Sequence, residues 1–320
     1  MYNRERKIAF KDQYAKTSTT AKVITNLFET ISKYEEKYDA DICQMDAESM
    51  QSIFDEVAGI KESSADTVLS ILKSYSRWCR VNNYPGANDS MERIETPGVA
   101  KMRKCMVFSP LELAIYHNQL YQTTPEDKRP DNIGRGYDWL AFIGVKEEDV
   151  LSISNNDIHL DTLELSYKQT RLDIPKEARV VFKNLTQLDY FTYVHPYYVS
   201  EFRPRIQSDQ FLRGFRDNRQ LKQLRDQISR DRHRARMSGK IQKQLSFQRI
   251  YLSGLFYRAY EFERAGLDPS LHFQEEAIAH LADLRCDTPE EKKYYHVRKL
   301  QCLRILNNDY TRWKLAFVKL

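Results

Sequence analysis

The chain has 320 residues, 41% apolar and 12% aromatic, with 10 Gly and 10 Pro. That composition supports a packed core and excludes disordered, collagen-like and low-complexity classes; at ~100–200 residues per domain, the length predicts two domains. The formal charge of +5 hides an asymmetry: between Arg203 and Arg249, 14 Lys and Arg face only Asp209, Asp217, Asp226 and Asp231, and the rest of the chain is mildly acidic. A concentrated basic segment is the electrostatic footprint of a polyanion partner, although a merely solvated arginine-rich helix face has the same composition.

No stretch approaches ~18 uninterrupted apolar residues. The opening MYNRERKIAFKDQYAK lacks an apolar core and a small-residue cleavage site. A cytoplasmic protein with no membrane partner is expected. Cys43, Cys79, Cys105, Cys286 and Cys302 are scattered and form no CxxC, and the seven histidines form no HExxH. Neither a disulfide framework nor a metal site is expected. The chain has no Gly-rich phosphate loop, so no organic cofactor is expected.

In chain order, Thr17 to Thr20 supply N-cap hydroxyls. Behind them Val23, Ile24, Leu27, Phe28 and Ile31 recur at helical spacing. A second helix is expected over Ala47 to Val57, after Asp46. A third is expected from Ser63 or Ser64 as cap, through Val68, Leu69, Ile71, Leu72, Tyr75 and Trp78. Its other face carries Lys73, Arg77 and Arg80. Pro85, Gly86, Pro97 and Gly98 then break regularity. FSPLELAIYHNQLYQ reads as a helix with Pro110 in its first turn, and GYDWLAFIGVKEEDVLSI as an apolar helix, a glycine break and a restart. NNDIHLDTLELSYKQTRLDIP alternates apolar and polar residues around LDT, which predicts a hairpin. KEARVVFKN and DYFTYVHPYY add a third strand or a short helix. From Phe202 onward a helical pattern is expected to the end. There Leu303, Ile305, Leu306, Trp313, Phe317 and Leu320 are spaced as an apolar helix face.

This order of elements resembles the tyrosine recombinase (phage integrase) family. The closest local match is FIGVKEEDVLSISNNDIHLDTLEL, where Gly144, Asp149, Leu151, Asp157 and Ile158 stand at positions of a family block. In LSYKQTRLDIP, Lys168 stands at the family's active-site lysine and Pro175 closes the strand. The resemblance implies a mainly α fold with a small antiparallel β-sheet in a two-domain architecture. A helical, SAM-like core-binding domain would occupy 1–95, a linker 96–106, and a catalytic-type domain 107–320.

The departures bear on chemistry. The family cleaves DNA by attack of a tyrosine on a phosphodiester, with positive donors gathered on the transition state. The first family arginine falls on Lys146, which keeps the charge but loses the bidentate fork. The His-x-x-Arg box has no counterpart in QLSFQRIYLSGLFYRAYEFERAG, although Arg249 and Arg258 are near. A literal His233–Arg236 pair lies in the polar run RDRHRARMSGK, with no apolar helix behind it. Tyr294, Tyr295 and Tyr310 lie towards the C-terminus, but His296 precedes Tyr310 by 14 residues, farther than the family spacing. Each lost donor costs ~100-fold or more in such chemistry. The expectation is therefore an inactive scaffold with no catalytic residues. The alternative is an active, divergent recombinase using Tyr310 or Tyr294.

A clamp that binds DNA without cutting acts by occupying its site. The resemblance thus implies a sequence-specific double-stranded DNA-binding protein, a phage transcriptional repressor that maintains lysogeny at operator sites on the bacterial nucleoid. An antirepressor protein or a second copy of the chain would be further partners. The DNA-binding residues expected are Lys73, Arg77 and Arg80 on the front helix, and Lys101, Arg103 and Lys104 on the linker. Lys146, Lys168 and Arg171 are expected at the family's central phosphate. Arg213, Arg216, Arg230 and Arg234 are expected from the basic segment, where Arg219, Lys222 and Arg236 continue the spacing.

Overall fold

The computed structural model describes residues 1–58, 62–94, 100–121, 132–193, 201–204, 207–213, 220–281 and 287–318. The protein is mainly helical with a small antiparallel sheet. It divides into two compact units, Met1–Met102 with Asn308–Leu320, and Arg103–Asn307. The division falls inside the expected linker. Asn308–Leu320, inside the domain expected over 107–320, groups with the first unit.

The first unit holds α1 (Arg4–Tyr14), α2 (Ser18–Tyr38), α3 (Ala47–Val57) and α4 (Glu62–Val81). Thr17 caps α2, its side chain accepting from Thr20 N at 3.1 Å. Asp46 caps α3 by accepting from Ser49 N at 2.8 Å. Ser63 and Ser64 lie inside α4 rather than capping it. Ile24, Leu27, Phe28 and Ile31 are buried as expected, whereas Val23 is 40% exposed. The core centres on Phe10, Phe28 and Tyr75, with ring centroids 5.2 Å (Phe10–Tyr75) and 4.9 Å (Phe28–Tyr75) apart. Helix α1 has no counterpart in the sequence reading. One of its two buried residues is Lys7, whose ammonium pairs with buried Glu35.

The second unit begins within α5 (Ala100–Cys105), a helix inside the expected linker. It continues with α6 (Pro110–Tyr121) and α7 (Ile133–Ile143). α7 ends on Gly144 at φ 110°, a left-handed conformation that glycine adopts freely. Strands β1 (Ile158–His159), β2 (Glu164–Tyr167) and β3 (Thr170–Asp173) form the antiparallel sheet, with Leu165 opposite Ile158 and Leu172. The expected hairpin therefore has three strands. KEARVVFKN contributes α8 (Arg179–Gln187), and the aromatic run supplies β4 (Tyr190–Tyr193), paired with β5 (Glu201–Pro204).

Helix was expected from Phe202 onward. Instead β5 and a turn intervene, because Pro204 disfavours helical backbone in the residue before it. α9 (Leu221–Met237) starts only at Leu221, followed by α10 (Phe247–Arg264), α11 (Ser270–His280) and α12 (Pro289–Phe317). α7 and α10 pack backbone to side-chain-free backbone: a Cβ on Gly254 would lie 1.8 Å from Phe142 O. Near the end of α12, Tyr310, Trp313 and Ala316 are buried, whereas Ile305 is 38% exposed. Leu320 lies outside the described residues. Cys43, Cys79, Cys105 and Cys302 are free thiols, and Cys286 lies outside the described residues. Among the described residues no helix is long and apolar enough to cross a membrane, and no cluster of His, Cys, Asp or Glu could hold a metal.

Candidate nucleic-acid interface

In the first unit the amphipathic spacing of α4 buries Ile71, Leu72, Tyr75 and Cys79. It leaves Lys73, Arg77 and Arg80 on one edge, and all three converge on Glu92. Arg77 Nη2 and Arg80 Nη2 lie 3.0 and 3.3 Å from the same carboxylate oxygen, and Lys73 Nζ donates to the Glu92 carbonyl at 3.3 Å. One carboxylate cannot neutralise two guanidiniums and an ammonium. Exposed pairs of this kind contribute ~0–1 kcal/mol each, so a phosphate can replace Glu92 at small cost. Arg103 and Lys104 are exposed on α5. Lys101 lies in α5, and its side chain is outside the described part.

In the second unit the loop after Gly144 brings a second group together. Tyr167 OH donates to Asp149, Lys168 Nζ pairs with the same carboxylate at 2.9 Å, and Lys146 N donates to Tyr167 OH at 3.4 Å. Burial pushes the Asp149 carboxyl up, but the bonds from Tyr167 and Lys168 outweigh it and hold it below the ordinary range. Lys146 Nζ donates to Ala279 O at 3.0 Å, near the C-terminus of α11, where the helix dipole favours a cation. Arg171 pairs with Glu164 at 3.1 Å on the exposed sheet face. Lys146 and Lys168 thus gather about Asp149, while Arg171, opposite Ser166, stands on the other face of the sheet.

Lys168 opens the two-residue turn between Tyr167 and Thr170, at φ 54°. That backbone costs a side-chain-bearing residue ~1–2 kcal/mol, a strain glycine would relieve. Lys168→Gly should leave the thermal midpoint near wild type, since the lost ion pair is exposed, while weakening DNA binding. Melting curves beside DNA titrations check both halves. A large loss of stability would contradict this account of the turn.

The basic segment divides by burial. Arg213, expected at DNA, is 5% exposed. It donates to Thr186 O and Leu188 O, both at 3.1 Å, and pairs with Asp189 at 3.4 Å, closing the end of α8. It is a core residue, because the orphan carbonyls of a helix end need a donor. Arg216 and Arg219 lie outside the described residues, and Arg213 precedes α9. On α9, Leu224, Ile228 and Ala235 face inward. Arg232 joins them and pairs with fully buried Asp138, which also bonds His117 Nε2 at 3.1 Å. Arg225 grips Glu147 with two bonds of 2.6 Å. These contacts fix the helix so that Lys222, Arg230, His233, Arg234 and Arg236 stand exposed. Among the described residues Arg234 has only Asp231, at 3.8 Å. Among the described residues Arg230 and Arg236 have no carboxylate partner.

Sequence reading missed the concavity beside this helix. A cavity of about 530 Å³ is lined by Arg225, Arg232, Arg236, Lys243 and Arg249, against Glu147 and Asp226. The charge count pointed to the segment, but only folding brings Lys243 and Arg249 against α9. The tyrosines separate: Tyr310 is 4% exposed, whereas Tyr294 is 54% exposed.

A helical first unit with a basic edge and a sheet-bearing second unit with basic surfaces make a two-domain, recombinase-like layout. Residues 1–81 match the family described as MrpR, N-terminal core-binding domain. The match ends on the last residue of α4, so it covers that domain and leaves the second unit unmatched. A core-binding domain of this lineage is consistent with a DNA-binding regulator. No curated protein matches the chain.

Proposed function

We propose that the protein is a sequence-specific double-stranded DNA-binding repressor of a prophage. It would maintain lysogeny in the bacterial cytoplasm by occupying operator sites. The reading includes kinship with the SPbeta-type master repressor and a recombinase scaffold that no longer cleaves DNA. The observation that carries it is α9, whose Arg232 is spent on the core while Lys222, Arg230, Arg234 and Arg236 face outward with almost no acidic compensation. Cations presented without partners on a rigid element bind phosphates by releasing counterions. Three features support a binding rather than a cutting role. Lys146 stands where the family has arginine, its ammonium is occupied by Ala279 O, and Tyr310 is buried. The alternative, an active divergent recombinase, retains Tyr294 as an exposed hydroxyl.

The test is a titration of labelled phage-genome duplexes by fluorescence anisotropy across salt concentrations. Six to ten phosphate contacts should lose roughly 10³–10⁵ in affinity between ~50 and ~200 mM salt. Arg230→Ala and Arg236→Ala should each reduce the slope of log affinity against log salt by about 1. Affinity indifferent to salt, or slopes unchanged in both variants, would contradict the proposal.

A further inference from the structure

A separate cavity of about 840 Å³ opens in the second unit among the start of α6, the end of α7, the segment after β3, and α10 with α11. Its walls include Leu111, Phe142, Ile174, Tyr257, Phe262 and Leu267, the mostly apolar lining and size of a small-ligand site. Arg258 also lines it. Among the described residues this guanidinium donates one hydrogen bond, Nη1 to Phe142 O at 2.6 Å, and makes no ion pair. A guanidinium has five N–H donors. Burial works against its charge, and Tyr251, Glu276 and Asp173 favour it only from a distance. A half-buried guanidinium with no direct ion pair keeps donors to spare on the cavity wall, and an anion in the cavity would take them up. Asp173 and Glu177 line the same cavity, and among the described residues neither is paired with a cation. Lys176, His272 and Glu261, the last paired with Arg264, also line it, so the site offers cations and carboxylates together within largely apolar walls.

We propose that this cavity binds a short apolar peptide with free termini, its carboxylate on Arg258, its ammonium at Asp173 and Glu177, and its side chains on the apolar walls. The proposal is independent of DNA binding.

Calorimetric titration of the full chain with the tripeptide Leu-Phe-Leu tests it, alongside the C-terminal amide, the N-acetyl form and octanoate. Saturable one-to-one binding is expected, about ten-fold weaker for the amide and weaker also for the N-acetyl form and octanoate. Arg258→Gln should abolish the preference for acid over amide. That variant also touches the α7–α10 contact, so Leu111→Asp, at a side chain 58% exposed, serves as a second probe. It should weaken every peptide form without changing the melting curve. Absence of saturable heat at millimolar tripeptide, or equal affinity for acid and amide, would overturn the proposal. Octanoate binding as tightly as the peptide would overturn the peptide assignment and leave a simple amphipathic acid as the ligand.

Discussion

Replacing Asp138 with Ala is expected to destabilise the second unit by about 3–5 kcal/mol, the usual cost of removing one partner from a buried ion pair. Asp138 is fully buried between His117 on α6 and Arg232 on α9. Without it the Arg232 guanidinium is left enclosed and uncompensated. α9 would then swing out or unfold, taking Arg230, Arg234 and Arg236 with it, so DNA affinity should fall together with stability. Arg230→Ala makes a clean control, because it removes an exposed charge and should leave the melt unchanged.

The same cluster sets a pH dependence. Burial holds the His117 imidazole below its ordinary 6.5, against the pull of Asp138. The native state keeps the ring neutral where the unfolded chain takes a proton. This share of stability is complete above 6.5 and declines as pH falls below it. Burial pushes the Asp138 carboxyl up, but Arg232 and His117 outweigh it and hold it below 3.8. Its share is complete above that value and lost further down. Melts at about pH 7 and about pH 5.5 should show the decline, and His117→Gln should flatten it. A midpoint that does not move between these two conditions would contradict the neutral buried ring.

Gly254→Ala is the second substitution with a large expected effect, a loss of about 3 kcal/mol, the upper end of the usual overpacking cost. Alanine is the better helix former by ~1 kcal/mol, so on propensity alone the change would stabilise α10. The contact decides otherwise. The new methyl would stand 1.8 Å from Phe142 O, a backbone atom that moves only if α7 moves. α7 carries Trp139, Leu140, Phe142 and Ile143 into the core, so opening this crossing loosens the whole unit. Denaturant melts of the variant measure the cost, and a stability at or above wild type would show that α7 and α10 do not cross this closely.

The parts of this fold legible in the sequence are those governed by local rules. Of the four hydroxyls expected at the start of α2 Thr17 makes the cap, and α3 begins directly after Asp46 as expected. The alternation around LDT became the sheet, and Gly144 ended α7. The illegible parts are non-local. α1 is hidden because its inward face uses Lys7, a charge neutralised only by Glu35 from the next helix. Phe202 belongs to a strand because β4 pairs with it. The basic segment shows the same limit for the site. Composition marks Arg203 to Arg249 as a footprint, yet cannot tell Arg213, which closes a helix end, or Arg232, which holds Asp138, from exposed Arg230. Only tertiary contacts separate structural cations from those free to meet phosphate. On α4 the three expected cations do share an edge, because helical spacing alone puts them there.

The proposed activity is occupancy of DNA without cleavage. One incubation of the full chain with a library of labelled duplex DNA fragments, split between a native and a denaturing gel, tests it most directly. The expected result is a shift selective for particular fragments on the native gel, and unmodified strands on the denaturing gel. A covalent protein–DNA adduct, lost on Tyr294→Phe or Tyr310→Phe, would contradict it and establish a working recombinase.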